Sequence, residues 1–186
     1  VSKTNRRSSS FKESEMRRKL DFVTNSSSSS FIVAWPKLVD SWDEVHDIVI
    51  FKEKADIVFN DCLRQKAFLI EETLSCINKI SKEIARGYFC GYKQYSDDPG
   101  YKNLYRDRQD KVLSDDEYRK KVDTIFRKVD KENKKNARIL AEKFVKENIG
   151  KYCYMFNYGD EDGYLYSQLE HGDTFRGLKY LQISHH

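Results

Sequence analysis

Two stretches of this chain are apolar at consecutive positions, Phe-Ile-Val-Ala-Trp at 31–35 and Tyr-Cys-Tyr-Met-Phe at 152–156. A strand with one face in water alternates apolar and polar residues, whereas a run apolar at successive positions belongs in a sheet buried on both sides. Pro36 stops the first run. A third strand candidate, residues 180–184, follows near the end of the chain. Between the first two runs, apolar residues recur every three or four positions, the spacing of amphipathic helices. The pattern predicts an α/β or α+β domain: a small sheet of about three strands, with long helices inserted between the first and second strands.

The helical middle has its own punctuation. Ser41 and Glu44 stand at capping-box spacing, as do Ser114 and Glu117. In such a box the serine accepts a free backbone N–H and the glutamate reaches back to the cap. A short helix is expected after Ser41, ending near Phe51. From about Ala55, the series Phe59, Leu63, Ala67, Ile70, Leu74, Ile77 and Ile84 predicts one long helix to about Gly87. Tyr118, Val122, Ile125, Val129, Leu140 and Phe144 predict a second ending before Gly150. Asn133 and Asn136 interrupt that stripe, which leaves one helix or two.

Residues 1–15 are polar, serine-rich and basic, and are expected to be a disordered or non-native tail, with Met16 as a natural start. Residues 16–186 then form a single domain. The net charge of +4 hides an imbalance, because residues 1–20 carry seven Lys/Arg against two Glu, leaving −1 for the remainder. A near-neutral body makes overall charge a poor argument for nucleic-acid binding. No apolar run approaches the roughly 20 residues of a membrane-spanning helix. The expected setting is cytoplasmic, without a membrane partner.

The four cysteines are Cys62, Cys76, Cys90 and Cys153, and none form a CxxC pair. On one continuous helix, Cys62 and Cys76 would be about 21 Å apart, beyond disulfide reach. Buried free thiols are expected instead.

Three groups of residues are candidates for function. His171, Asp173 and His185 combine imidazole with carboxylate, as acid–base chemistry or a metal site requires. Neighbouring His185 and His186 point to opposite sides of a strand, so the pair cannot grip one ion together. The spacing names no particular metal or cofactor. Asn25, Ser26, Ser27, Ser28, Ser29 and Ser30 are expected to form a fixed, close-packed loop whose N–H and hydroxyl groups can hold a ligand. Tyr92, Lys93, Tyr95, Tyr101, Lys102, Tyr105 and Arg106 offer rings and cations to single-stranded nucleic acid. Asp97, Asp98, Asp107 and Asp110 largely cancel those cations. The acidic run 160–163 fails as an EF-hand, which needs Gly and Glu where Leu165 and His171 stand. No glycine-rich phosphate loop, HExxH or GxSxG motif occurs.

Residues 18–31, Arg-Lys-Leu-Asp-Phe-Val-Thr-Asn, five serines and Phe, resemble an N-terminal signature of short uncharacterised bacterial and phage-encoded proteins. The closing Glu-His-Gly-Asp at 170–173 and Ile-Ser-His-His at 183–186 fit the same company. The resemblance implies a bacterial or mobile-element setting and assigns no activity. With no complete catalytic motif and a near-neutral body, a non-catalytic protein-binding or accessory module is the leading expectation. An acid–base or metal-dependent enzyme and a nucleic-acid-binding protein are its alternatives. If the last strand pairs antiparallel with the first, the two end signatures meet at residues 29–31.

Overall fold

The computed structural model describes residues 28–49, 52–87, 94–110, 112–159, 168–169 and 174–184. Their elements run β1 (Ser28–Trp35), α1 (Trp42–Ile48), a 3-10 turn (Lys52–Lys54), α2 (Ala55–Arg64), β2 (Phe68–Leu69), and α3 (Leu74–Ile84). A second 3-10 turn (Tyr95–Asp97) leads to α4 (Pro99–Gln109), α5 (Asp115–Glu147), β3 (Tyr152–Gly159) and β4 (Lys179–Ser184). The strands make one four-stranded sheet in the order β2-β3-β1-β4, with every pair antiparallel. The fold is α+β, with the long helices between β1 and β3 as the sequence predicts. The two-residue β2 is the strand the sequence did not announce.

Strand alternation divides the core. Phe31, Val33 and Trp35 share one face with Tyr154, Phe156 and Tyr158. Val45 of α1, Ala55, Val58 and Cys62 of α2, and Phe175 cover that face. Ile32, Ala34, Cys153 and Ile183 look the other way, under Cys76, Ile80 and Ile84 of α3 and the second half of α5. This explains why β1 is apolar at every position from 31 to 35. Burying each large aliphatic or aromatic side chain contributes about 1.5–3 kcal/mol.

The single helix expected over 55–87 is two helices separated by a strand. Gln65 leaves the helical conformation at φ −85° and ψ 149°. Phe68 and Leu69 then pair with Cys153 and Tyr152. Thr73 restarts the helix, its Oγ1 accepting the Cys76 N–H at 3.2 Å. The predicted stripe was misleading because Leu63 and Leu74 are 57% and 66% exposed. Ile84 is buried as the stripe predicts, but the other buried residues are Ala55, Val58 and Cys62 of α2 and Cys76 and Ile80 of α3. Cys62 and Cys76 are kept apart by the sheet between them, not by distance along one helix.

The capping box at Ser114 forms as read: Ser114 Oγ accepts from Glu117 N at 3.4 Å, and Glu117 Oε2 from Ser114 N at 3.1 Å. It opens a 33-residue helix that continues through Asn133 without a break, about 50 Å long. The box at Ser41 does not form. Ser41 precedes α1 but makes no side-chain cap, because Glu44 is drawn to Lys37 and accepts the Asp40 N–H. After α5, Gly150 takes φ +83°, a conformation strained for residues with a Cβ. Its N–H donates to Ile70 O at 3.0 Å, tying the end of α5 to the margin of β2.

Candidate functional site

Two places deserve comparison, the serine end of the sheet and an aromatic cleft on the helical layer. At the first, the structure corrects the expected loop. Ser28, Ser29 and Ser30 are the opening residues of β1, facing Gly159, Tyr158 and Asn157 across β3. Serine favours turns on its own, but two flanking strands extend past Phe31 and supply ladder partners. Asn25, Ser26 and Ser27 lie outside the described residues. On the other side of β1, Ser29 pairs with Ser184 and Ser30 with Ile183. The antiparallel meeting of β1 with the last strand is therefore present.

Ser29 and Ser30 are buried, and each is tied across a strand boundary. Ser30 Oγ donates to Asn157 Oδ1, and Gln182 Nε2 donates to Ser29 Oγ at 3.4 Å. Beside Ser29, Tyr158 is buried, and its side chain acts on the carboxyl of Asp61 in α2. Burial pushes the Asp61 carboxyl above the ordinary carboxylate range, against the opposing pull of Tyr158 and Arg64. Nearby in sequence, Lys54 is fully buried, which lowers its ammonium pKa despite Glu53.

The Asp61 shift has a measurable sign. A carboxyl whose folded pKa is raised favours the folded state below its unfolded value, and that contribution is lost as pH rises through the folded pKa. Asp61→Asn keeps the shape of the side chain and removes the charge. Its melting temperature should exceed wild type at neutral pH and converge with it below about pH 4. Thermal melts across that range check this; an equal or lower melting temperature for the variant at neutral pH contradicts it.

His171, Asp173 and His185 lie outside the described residues, as do residues 160–163. Among the described residues, no cluster of three or more His, Cys, Asp or Glu could hold a metal ion. Cys62, Cys76 and Cys153 are free and buried. Burial first, then Asp61, pushes the Cys62 thiol up to about 12. Burial first, then Cys76, does the same to Cys153. Both stay protonated near neutrality and are poor nucleophiles. Cys90 lies outside the described residues.

The second place is built by α4 and the first half of α5. Asp98 sets their junction: its Oδ1 accepts from Gly100 N at 2.8 Å to cap α4, while Lys128 of α5 donates to Oδ2 at 3.0 Å. Lys128 holds the Asp98 carboxyl below the ordinary range, assisted by the Gly100 N–H. Above this clamp lies a cleft of about 440 Å³ walled by Tyr95, Tyr101, Tyr118 and Phe126, with Arg119 and Asp123 at its polar side. Tyr95 meets Tyr101 edge-on at 5.0 Å and 81°. Tyr118's hydrogen bond, more than burial, drives the Tyr101 phenol up to about 12, so it is neutral at any physiological pH. The guanidinium of Arg108 sits 4.6 Å from the Tyr118 ring centre.

Of the residues expected to meet nucleic acid, Tyr95 and Tyr101 come together in this cleft. Lys102, Tyr105 and Arg106 are exposed on α4 outside its lining. Tyr92 and Lys93 lie outside the described residues. Sequence reasoning missed Phe126 and Asp123, and it assigned Tyr118 to a core stripe. The available signal was Tyr118, Val122 and Phe126 at successive four-residue steps, beginning where the helix does.

Together these features define an α+β domain with a sheet covered by helices and an aromatic cleft on its longest helix. Among the described residues, no helix is long and apolar enough to cross a membrane. Comparison with protein-family models, curated proteins and solved structures yields no match.

Proposed function

We propose that the protein is a non-catalytic binding module of the cell interior, whose aromatic cleft receives a side chain from a protein partner. The cleft carries this reading. Phe126 is 54% exposed and Tyr95 is 42% exposed, although both touch other rings. Aromatic residues held rigidly at a surface are the usual anchors of protein interfaces. Asp123 lines the cleft and would repel a phosphate backbone. Arg127 holds this carboxylate at 2.7 Å from an exposed position, and such a pair is readily exchanged for an incoming arginine or lysine, whose charge is favourable over aromatic faces.

The test begins with affinity capture from bacterial extract, followed by purification of the retained protein and direct titration. Phe126→Ser and Tyr95→Ser should each weaken binding by roughly tenfold or more, with circular dichroism melts unchanged. A partner that binds both variants as well as wild type would defeat the cleft. Salt-sensitive binding of single-stranded oligonucleotides that falls in Tyr105→Ala would favour nucleic acid instead.

A further inference from the structure

A groove on another part of the helical layer has different chemistry. It lies between α3 and α5, measures about 370 Å³, and is lined by Asn78, Ser81, Lys82, Ala85, Arg86 and Lys134. Asn78, Ser81 and Lys82 recur at three- and four-residue steps on one face of α3, and Ala85 and Arg86 follow in the turn that ends it. Lys134 approaches from α5. Every polar side chain in the lining can donate a hydrogen bond: one amide, one hydroxyl, two ammonium groups and one guanidinium. The lining holds no carboxylate. Ala85 ends at its Cβ, which leaves room between the longer neighbours.

The nearest acids do not close the groove. Glu83 holds Arg86 at 2.9 Å, and Asp130 holds Lys134 at 2.7 Å, both from outside the lining. The cations of these pairs are well exposed, and such pairs exchange partners at little energetic loss. Among the described residues, no carboxylate lies within ion-pair distance of Lys82. Lys82 and Arg86 stand at the C-terminal end of α3, where cations also complement the helix dipole. That explains two charges on one helix. It does not explain Lys134, which is well inside α5 and faces the same groove.

We propose that this groove binds a phosphate-type oxyanion carried on a small molecule. Charge-assisted hydrogen bonds from guanidinium and ammonium groups are the strongest that a phosphoryl group can collect. The hydroxyl of Ser81 and the amide of Asn78 supply neutral donors beside them. The volume lies within the range of small-ligand sites, which leaves space for a substituent beyond the phosphoryl group. The groove is separate from the aromatic cleft, and its role is independent of the protein-binding reading.

The experiment titrates the protein with inorganic phosphate and with adenosine monophosphate at constant ionic strength, read by calorimetry and backbone NMR shifts. Saturable binding that perturbs the amides of α3 near Ser81 is expected. Lys82→Gln and Lys134→Gln should each weaken it by about tenfold, while Lys120→Gln, elsewhere on α5, leaves it unchanged. Tighter binding of the nucleotide than of phosphate identifies a phosphomonoester, whereas equal binding identifies the free anion. No saturable binding of either probe overturns the proposal. Equal weakening by Lys120→Gln also overturns it, because general charge would then explain the effect.

Discussion

Phe156→Ala should remove about 3–5 kcal/mol of stability, the range for emptying a buried aromatic site. Phe156 is 1% exposed and stacks on Phe175 at 4.9 Å and 24°. It lies between Tyr154 and Tyr158 along its strand, with ring centres at 6.1 and 6.0 Å. Phe31 is its cross-strand partner. The ring thus joins the sheet to the segment at Phe175, and neighbouring rings on a pleated strand cannot collapse into its place. A domain of this size has only about 5–15 kcal/mol in total, so the loss is a large share. Urea unfolding should show a lower midpoint with an unchanged slope. A loss below about 1 kcal/mol would mean that this face is loosely packed.

Ile32→Asp should act more severely, on the opposite face. Ile32 is fully buried and has Met155 and Leu181 as its neighbours in the two adjoining strands. A carboxylate there loses water and gains no partner, a penalty of several kcal/mol even after local relaxation. The variant should be unfolded or insoluble at neutral pH. The introduced carboxyl would have a raised folded pKa, so the charge's share of the penalty is absent below about pH 4 and grows as pH rises, while the loss of apolar burial persists at every pH. Lys179→Asp, exposed on the outer strand, serves as the control. A folded, soluble Ile32→Asp protein at neutral pH would show that the second layer does not seal the sheet.

The contrast between these sites follows how much of the fold was legible. The strands at 31–35 and 152–156 could be read because both faces needed apolar cover and each run is too short for a buried helix. Ser114 and Glu117 fixed the start of α5 through a local interaction. The break at Gln65 could not be read, because Leu63 and Leu74 continued a helical spacing while remaining largely in solvent. Serines at 28–30 became strand because β3 and β4 supplied distant partners, and no local preference records that. The cleft draws Tyr95 and Tyr101 from one segment and Tyr118 and Phe126 from another. Only the packing of α4 on α5 makes them one surface.

The order β2-β3-β1-β4 has a consequence for how the chain assembles. The central strand is made long before its partners: Ser30 bonds Asn157, 127 residues on, and Ser29 bonds Gln182, 153 residues on. Helices α3 and α5 contain mostly local contacts and can organise as soon as they leave the ribosome. β1 cannot complete either edge until β3 and β4, more than a hundred residues downstream, have been translated. A topology of this kind has high contact order and folds slowly. During that interval, residues 31–35 present an unpaired apolar strand, and such strands are exposed to association between nascent chains.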